Sequence, residues 1–287
     1  MSELDNAVVV VTGASRGAGR GIALELGSAG ATVYATGRSV AGGETTDRVP
    51  GTVDDTAAEV TARGGRGIAV RCDHTNDADV DALFARVRDE SGRLDVLVNN
   101  VWGGYEHPDC RPLSMAPFWE QPMAQWDGMF TAGVRAHLVA SRLAVPLMLP
   151  RKCGLIVSTT ANLDVMPYMP NIFYDLSKSA VKRLAWATAQ ELRAHNIASV
   201  ALAPGFMRTE RVVEAFVRAG MSAALDGPGG PGETTAYIGR AVVALAKDDN
   251  VLAKTGELLE VGALAREYGF TDVNGTQPAP FRMPEKK

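Results

Sequence analysis

Cysteine is scarce in this chain: Cys72, Cys110 and Cys153 are the only three among 287 residues. Three scattered thiols exclude a disulfide framework and suit a reducing compartment. Metal-ligand spacing is missing too, since Cys72-Asp73-His74 has no second pair to complete a site, and no metal is expected. There is no cationic excess either. Lys and Arg total 29 against 33 Asp and Glu, for a net charge of −4, so the basic footprint of a nucleic-acid binder is absent. No uninterrupted apolar run approaches the roughly 18 residues of a membrane helix. The start of the chain is acidic where a signal peptide needs basic residues. These absences lead us to expect a cytoplasmic protein with neither a nucleic-acid nor a membrane partner.

What remains is an ordinary globular composition, 46% hydrophobic and 22% charged, which argues against disorder. Residues 7–12 form a β-branched run of the kind buried on both faces of a parallel sheet. Further strands are predicted at 31–36, 67–72, 94–99, 155–159, 197–202 and 258–261. Helical patterns fall at 21–28, 77–91, 126–149 and 174–195. This alternation predicts an α/β fold: one doubly wound, Rossmann-type parallel sheet of about seven strands with helices on both faces. No linker divides the chain, so 1–287 reads as one domain, with long loops at 103–125 and 206–235 and an irregular tail from 271. Ligands of such sheets bind beyond the carboxyl ends of the strands, so residues just after each strand carry the functional information.

After the first strand comes Thr12-Gly13-Ala14-Ser15-Arg16-Gly17-Ala18-Gly19. A glycine-rich turn that opens a helix lets backbone approach a pyrophosphate, and the helix start favours its charge. Tyr174 and Lys178 stand four apart, on one face of a helix. A phenol titrates near 10, and a neighbouring ammonium lowers that value, so the pair can move a proton near neutral pH.

With Asp73 after the third strand, Asn99-Asn100 after the fourth, Tyr174-x3-Lys178 and Pro204-Gly205 after the sixth, the chain resembles the short-chain dehydrogenase/reductase family over residues 6–263. The stretch from Phe118-Trp119-Glu120 through Trp126-Asp127, with Arg135-Ala136-His137, resembles more narrowly the dehydrogenase/reductase member 1 group. The resemblance implies a nicotinamide cofactor held by Gly13, Ser15, Arg16, Gly17, Ala18 and Gly19, by Asp73 and His74 near the adenine, and by Asn99, Asn100 and Val101. For Asp73 a role as helix cap competes with the adenine contact. Pro204, Gly205, Met207 and Thr209 would hold the nicotinamide end, with Tyr174 and Lys178. The family's acidic ribose ligand falls here on Gly37, followed by Arg38. With Arg16 this predicts NADPH/NADP+, because a 2′-phosphate requires a cation.

Three departures stand out. The usual catalytic serine position falls on Ala161, which leaves Thr160, or Ser158, to orient a substrate oxygen. The usual asparagine of the proton relay falls on Gly133. His137 one turn on is either its substitute or a structural histidine. Trp102 stands close to the cofactor, either lining the substrate pocket or packing under the 103–125 loop. A hydrophobic pocket is drawn from Trp102, Tyr105, Phe118, Trp119, Met166 and Phe206. The expected activity is NADPH-dependent reduction of a ketone or aldehyde, with Tyr174 as proton donor. The alternative is an NADP(H)-binding sensor or scaffold with little catalysis. Relatives of this kind imply a homodimer or homotetramer.

Overall fold

The computed structural model describes residues 4–46, 49–104, 116–165, 168–218, 220 and 232–282. Its order is β1 (Val8–Thr12), α1 (Gly17–Ser28), β2 (Thr32–Gly37), α2 (Val53–Ala62), β3 (Arg66–Arg71), α3 (Asp77–Ser91) and β4 (Val96–Asn99). There follow α4 (Met123–Phe130), a π turn (Thr131–Arg135), α5 (Ala136–Met148), β5 (Gly154–Thr159), α6 (Ile172–Leu192) and β6 (Ile197–Ala203). The chain continues with α7 (Glu210–Arg218), α8 (Thr235–Lys247), β7 (Leu258–Glu260) and α9 (Val261–Tyr268).

All seven strands pair in parallel in the order β3-β2-β1-β4-β5-β6-β7. The winding reverses between β1 and β4, and a crevice opens at such a reversal, beyond the strands' carboxyl ends. Alternation along β1 sends Val9 and Val11 to one face, against Ile22 and Leu26 of α1 and Val242 of α8. Val8 and Val10 face the other way, toward Leu83 of α3 and Ala140 and Met148 of α5. Each such valine, once buried, contributes about 1.5–3 kcal/mol. The doubly wound sheet expected from the sequence is therefore the one observed.

Helix α3 has the expected bounds, because Asn76 caps its first turn and Gly92 closes it in the left-handed region. The pattern at 126–149 starts earlier, at Met123, and a π turn breaks it. The continuous helical stretch Met123–Arg151 is long and apolar enough to cross a membrane by length and composition alone, yet half of that apolar window is buried inside the fold. Helices α2, α8 and α9 lie where no helix was predicted. Helix α2 begins within residues 38–55, a Gly- and Thr-rich stretch that gives no helical pattern, where Thr52 accepts the Asp55 amide. The 206–235 loop contains α7. Residues 271–282 form no helix or strand, but Asp272 accepts the Thr234 amide at 2.8 Å and Tyr237 donates to the Pro278 carbonyl at 3.1 Å, which fastens the segment over α8.

Candidate active site

The end of β4 is stitched to the glycine turn. Thr12 Oγ1 accepts the amides of Asn100 (2.9 Å) and Val101 (3.1 Å), and the Asn100 carboxamide donates to the carbonyls of Thr12 (3.0 Å) and Gly13 (3.2 Å). Gly13 has φ +66°, and a Cβ on Gly19 would stand 2.2 Å from the Gly13 carbonyl oxygen. Only glycine permits that crossing. The crevice it creates is lined by Gly13, Ser15, Arg16, Gly17, Ala18, Arg38, Asp73, His74, Asn100, Val101 and Thr209, all expected at the cofactor. Thr46, Trp102, Ala132, Glu210 and Arg211 line it as well.

Arg16 is pinned at the crevice mouth. Its guanidinium donates to Ser39 Oγ (2.8 Å) and to the carbonyls of Pro50 (3.2 Å) and Gly51 (3.0 Å). Burial and the charges of Arg211 and Arg38 push its pKa down, while Glu210 opposes them. Arg38 borders the same space. For Asp73, burial is the largest single influence and raises the pKa. Two hydrogen bonds from Thr75 and the charge of Arg38 outweigh it, leaving the carboxyl below its ordinary value. Asp73 is not the cap of α3, a role that falls to Asn76. Buried His74 is held by Thr36 Oγ1 (2.8 Å), and burial lowers its pKa to about 4, so it stays neutral.

Asn99 stands apart from these residues. It is fully buried and donates to Ser141 Oγ on α5 (2.9 Å) and to Ser158 Oγ (3.4 Å). It ties the sheet to α5 and does not border the crevice. Ser158 is thus enclosed beside Asn99, and the Thr160 hydroxyl donates to the Lys178 carbonyl at 2.8 Å. Both hydroxyls offered for substrate orientation are therefore engaged within the protein.

Asn171 fixes the start of α6. Its side chain accepts the Tyr174 amide (2.8 Å) and donates to Gln125 Oε1 (2.9 Å). Tyr174 meets the indole of Trp102 edge to face, with ring centres 5.8 Å apart. The Lys178 ammonium stands 3.9 Å from the centre of the Trp102 ring and 5.7 Å from that of Tyr174. Desolvation lowers Lys178 to about 8. Trp102 rests on Gly133, in the π turn, where a Cβ would come within 2.9 Å of the indole. The missing side chain at 133 is the space Trp102 fills. The residue also packs beneath Gly104, at the start of the 103–125 loop, and borders the crevice. His137 is buried behind it and bonds the Val101 carbonyl at 3.2 Å. Burial first, then the charge of Lys178, lower its pKa to about 3. Its Nδ1 has no partner among the described residues.

After β6, Gly205 and Met207 run beside Glu233, whose amide donates to Phe206 and whose carbonyl accepts from Arg208 (both 2.9 Å). Burial pushes the Glu233 carboxyl up to about 7, against a bond from the Gly205 amide. Thr209 caps α7 by accepting the Val212 amide at 3.4 Å. Of the expected pocket residues, Phe118 and Trp119 are 58% and 71% exposed, and Phe206 packs against Phe216 and Phe281. Tyr105 and Met166 lie outside the described residues, as does Cys110. Glu210, Arg211 and Gln125 were not anticipated. No local pattern marks the first two, whereas Asn171 three residues before Tyr174 is a readable cap signal.

A family model for short chain dehydrogenases matches residues 7–218. The chain is 39% identical over 281 residues to human Dehydrogenase/reductase SDR family member 1, covering 95% of this chain and 85% of that one. It is 30% identical over 213 residues to a 3-oxoacyl-[acyl-carrier-protein] reductase of Synechocystis, covering 73% and 78%. Among solved structures, a hydroxysteroid dehydrogenase from Escherichia coli superposes with a TM-score of 0.71 at 25% identity, over 90% of this chain and 96% of that one.

Proposed function

The chain belongs to the short-chain dehydrogenase family, whose members bind a nicotinamide cofactor, and on that premise we propose that it is an NADPH-dependent reductase of bulky ketones or aldehydes. The observation that carries this reading is the Tyr174–Lys178 pair, set one helical turn apart against the Trp102 wall of the crevice. The cradle fits the dinucleotide, since a side chain at Gly13 would press on Val101 and one at Gly19 on the Gly13 carbonyl, and either would open the tight turn that brings backbone to a phosphate. Gly17 and Ala18 would face the pyrophosphate. Arg16 and Arg38 would face a 2′-phosphate, with no carboxylate at Gly37 to repel it.

When bound, the nicotinamide supplies hydride to the carbonyl carbon. The protein's own part is proton delivery and positioning. Tyr174 gives its phenolic proton to the carbonyl oxygen as charge develops there. Lys178, desolvated but still largely protonated at neutral pH, presents its ammonium 5.7 Å from the centre of the Tyr174 ring. Trp102 gives that ammonium a π face, which favours the cation without pairing it as tightly as a carboxylate would. The names of the relatives, a hydroxysteroid dehydrogenase and an oxoacyl reductase, support a bulky, largely apolar carbonyl substrate.

A second reading has one observation in its favour. With the Thr160 hydroxyl donated to the Lys178 carbonyl and Ser158 enclosed beside Asn99, neither of the two hydroxyls expected to orient a carbonyl stands ready for it, which suits a dinucleotide-binding sensor or scaffold. Both readings meet in one experiment: NADPH and NADH consumption over a panel of ketones, aldehydes and quinones, with Tyr174→Phe alongside. Turnover that prefers NADPH and falls about 10²–10⁴-fold in the variant is the expected result. Tight NADPH binding without turnover on any panel member favours the sensor. Full turnover by Tyr174→Phe removes the proton-donor role.

A further inference from the structure

Two helix starts face each other across the mouth of the crevice. Gly17 opens α1, and its amide donates to Glu210 Oε2 at 2.9 Å. Glu210 is itself the first residue of α7. The amides at a helix start lack partners and carry partial positive charge, so they draw an anion. The guanidinium groups of Arg16, Arg38 and Arg211 add to that field, and Glu210 is the acidic group that offsets it at Arg16. At the turn where a dinucleotide phosphate would sit, the chain has therefore placed a carboxylate of its own.

We propose that Glu210 is an internal competitor of the cofactor: it takes the glycine-turn cradle in the free protein and has to leave when a dinucleotide phosphate arrives, which ties cofactor binding to the release of α7. Two anions cannot share the Gly17 amide, and a carboxylate left beside the phosphate would repel it. The link to α7 follows from the exposure of that helix. No residue of Glu210–Arg218 is buried, and among the described residues the helix is also held by the Thr209 cap and by the meeting of Phe216 with Phe206, whose centres lie 6.0 Å apart. Phe206 follows Gly205, so the same strap that carries Glu210 runs past the nicotinamide side of the site. The inference rests on the family's dinucleotide and not on the choice of NADPH over NADH.

The test measures equilibrium binding of NADP+, NAD+ and inorganic pyrophosphate to the full chain, to Glu210→Gln and to Glu210→Ala. Glu210 is exposed, so neither variant disturbs the core. Glu214→Gln, one turn along α7, removes a carboxylate engaged with Arg218 and serves as the field control. Both Glu210 variants should bind all three ligands about twofold to fivefold tighter than wild type, with Glu214→Gln unchanged. Amide exchange in α7 should quicken in wild type on adding pyrophosphate and be already quick in Glu210→Ala. Equal or weaker binding by the Glu210 variants overturns the proposal, as does an equal gain in Glu214→Gln. If wild type binds neither dinucleotide, the family premise and the proposal fall together; if wild type binds and the variants gain nothing, the proposal falls alone.

Discussion

The two halves of the candidate site are built from different materials. On the β1–β3 side, position is set by backbone: a left-handed Gly13, a Gly19 that presses on the Gly13 carbonyl, and carbonyls of Pro50 and Gly51 that grip Arg16. On the β5–β6 side, position is set by side chains that meet from distant parts of the chain: Trp102 against Lys178, Gln125 against Asn171, Glu233 beneath Gly205. The halves also differ in charge behaviour. Near neutral pH buried His74 on the first side is already uncharged, whereas Glu233 and Lys178 on the second have values of about 7 and 8. A rigid backbone cradle suits a ligand portion that does not change, and titratable side chains suit an end where, on the proposed function, a proton would move.

The largest expected break in this contrast is Gly19→Ala. The added methyl would stand 2.2 Å from the Gly13 oxygen and 2.5 Å from the Asn100 side-chain nitrogen Nδ2, so the turn must open. Dinucleotide affinity should fall about tenfold to a hundredfold, read by titration, while Tyr174→Phe leaves affinity in place. Normal binding by Gly19→Ala would mean that backbone closeness is not what shapes the first half.

Gly133→Asn tests the second half in the same way, because its side chain collides with the indole 2.9 Å away. Turnover should drop about tenfold with dinucleotide affinity kept, and Trp102→Ala combined with Gly133→Asn should recover part of it. Additive losses in the double variant would show that the two positions do not share one volume.

Glu233→Gln sharpens the charge contrast. The carboxyl is raised from 4.5 to about 7 in the folded chain, so the folded state binds more protons than the unfolded one between those values. That contribution is complete below about pH 4.5 and is lost as pH rises through about 7. The variant should therefore match wild type near pH 4 and exceed it by about 1–3 kcal/mol at pH 8, measured by denaturant melts at both pH values. A constant difference across pH would place the titration elsewhere.

The same contrast explains what the sequence disclosed. Its legible parts are local. Helix α3 announces itself through Asn76 and Gly92, the glycine turn through its spacing, and Tyr174 and Lys178 through one helical turn. Its illegible parts are meetings across the chain. Nothing near position 102 indicates that an indole will carry Lys178, and nothing near 210 indicates a partner at Gly17. Helix α2 begins within a Gly- and Thr-rich stretch that masks it, and Tyr237 of α8 packs on the core and on the irregular tail rather than declaring itself by pattern. Thr160 was reachable by counting from Tyr174, but its bond to the Lys178 carbonyl was not, because only the fold brings β5 against α6.

The π turn at Thr131–Arg135 works as a phase shifter within one long helix. A wider turn takes up one residue beyond an α-helical repeat, and one residue is about 100° of rotation. Helix α4 can thus aim Gln125 at Asn171 while α5 aims Ala140 and Met148 at the sheet, and neither orientation constrains the other. Deleting a single residue from that turn would couple the two settings. Either the site-facing side or the sheet-facing side would then be turned out of place, although no contacting residue had been altered.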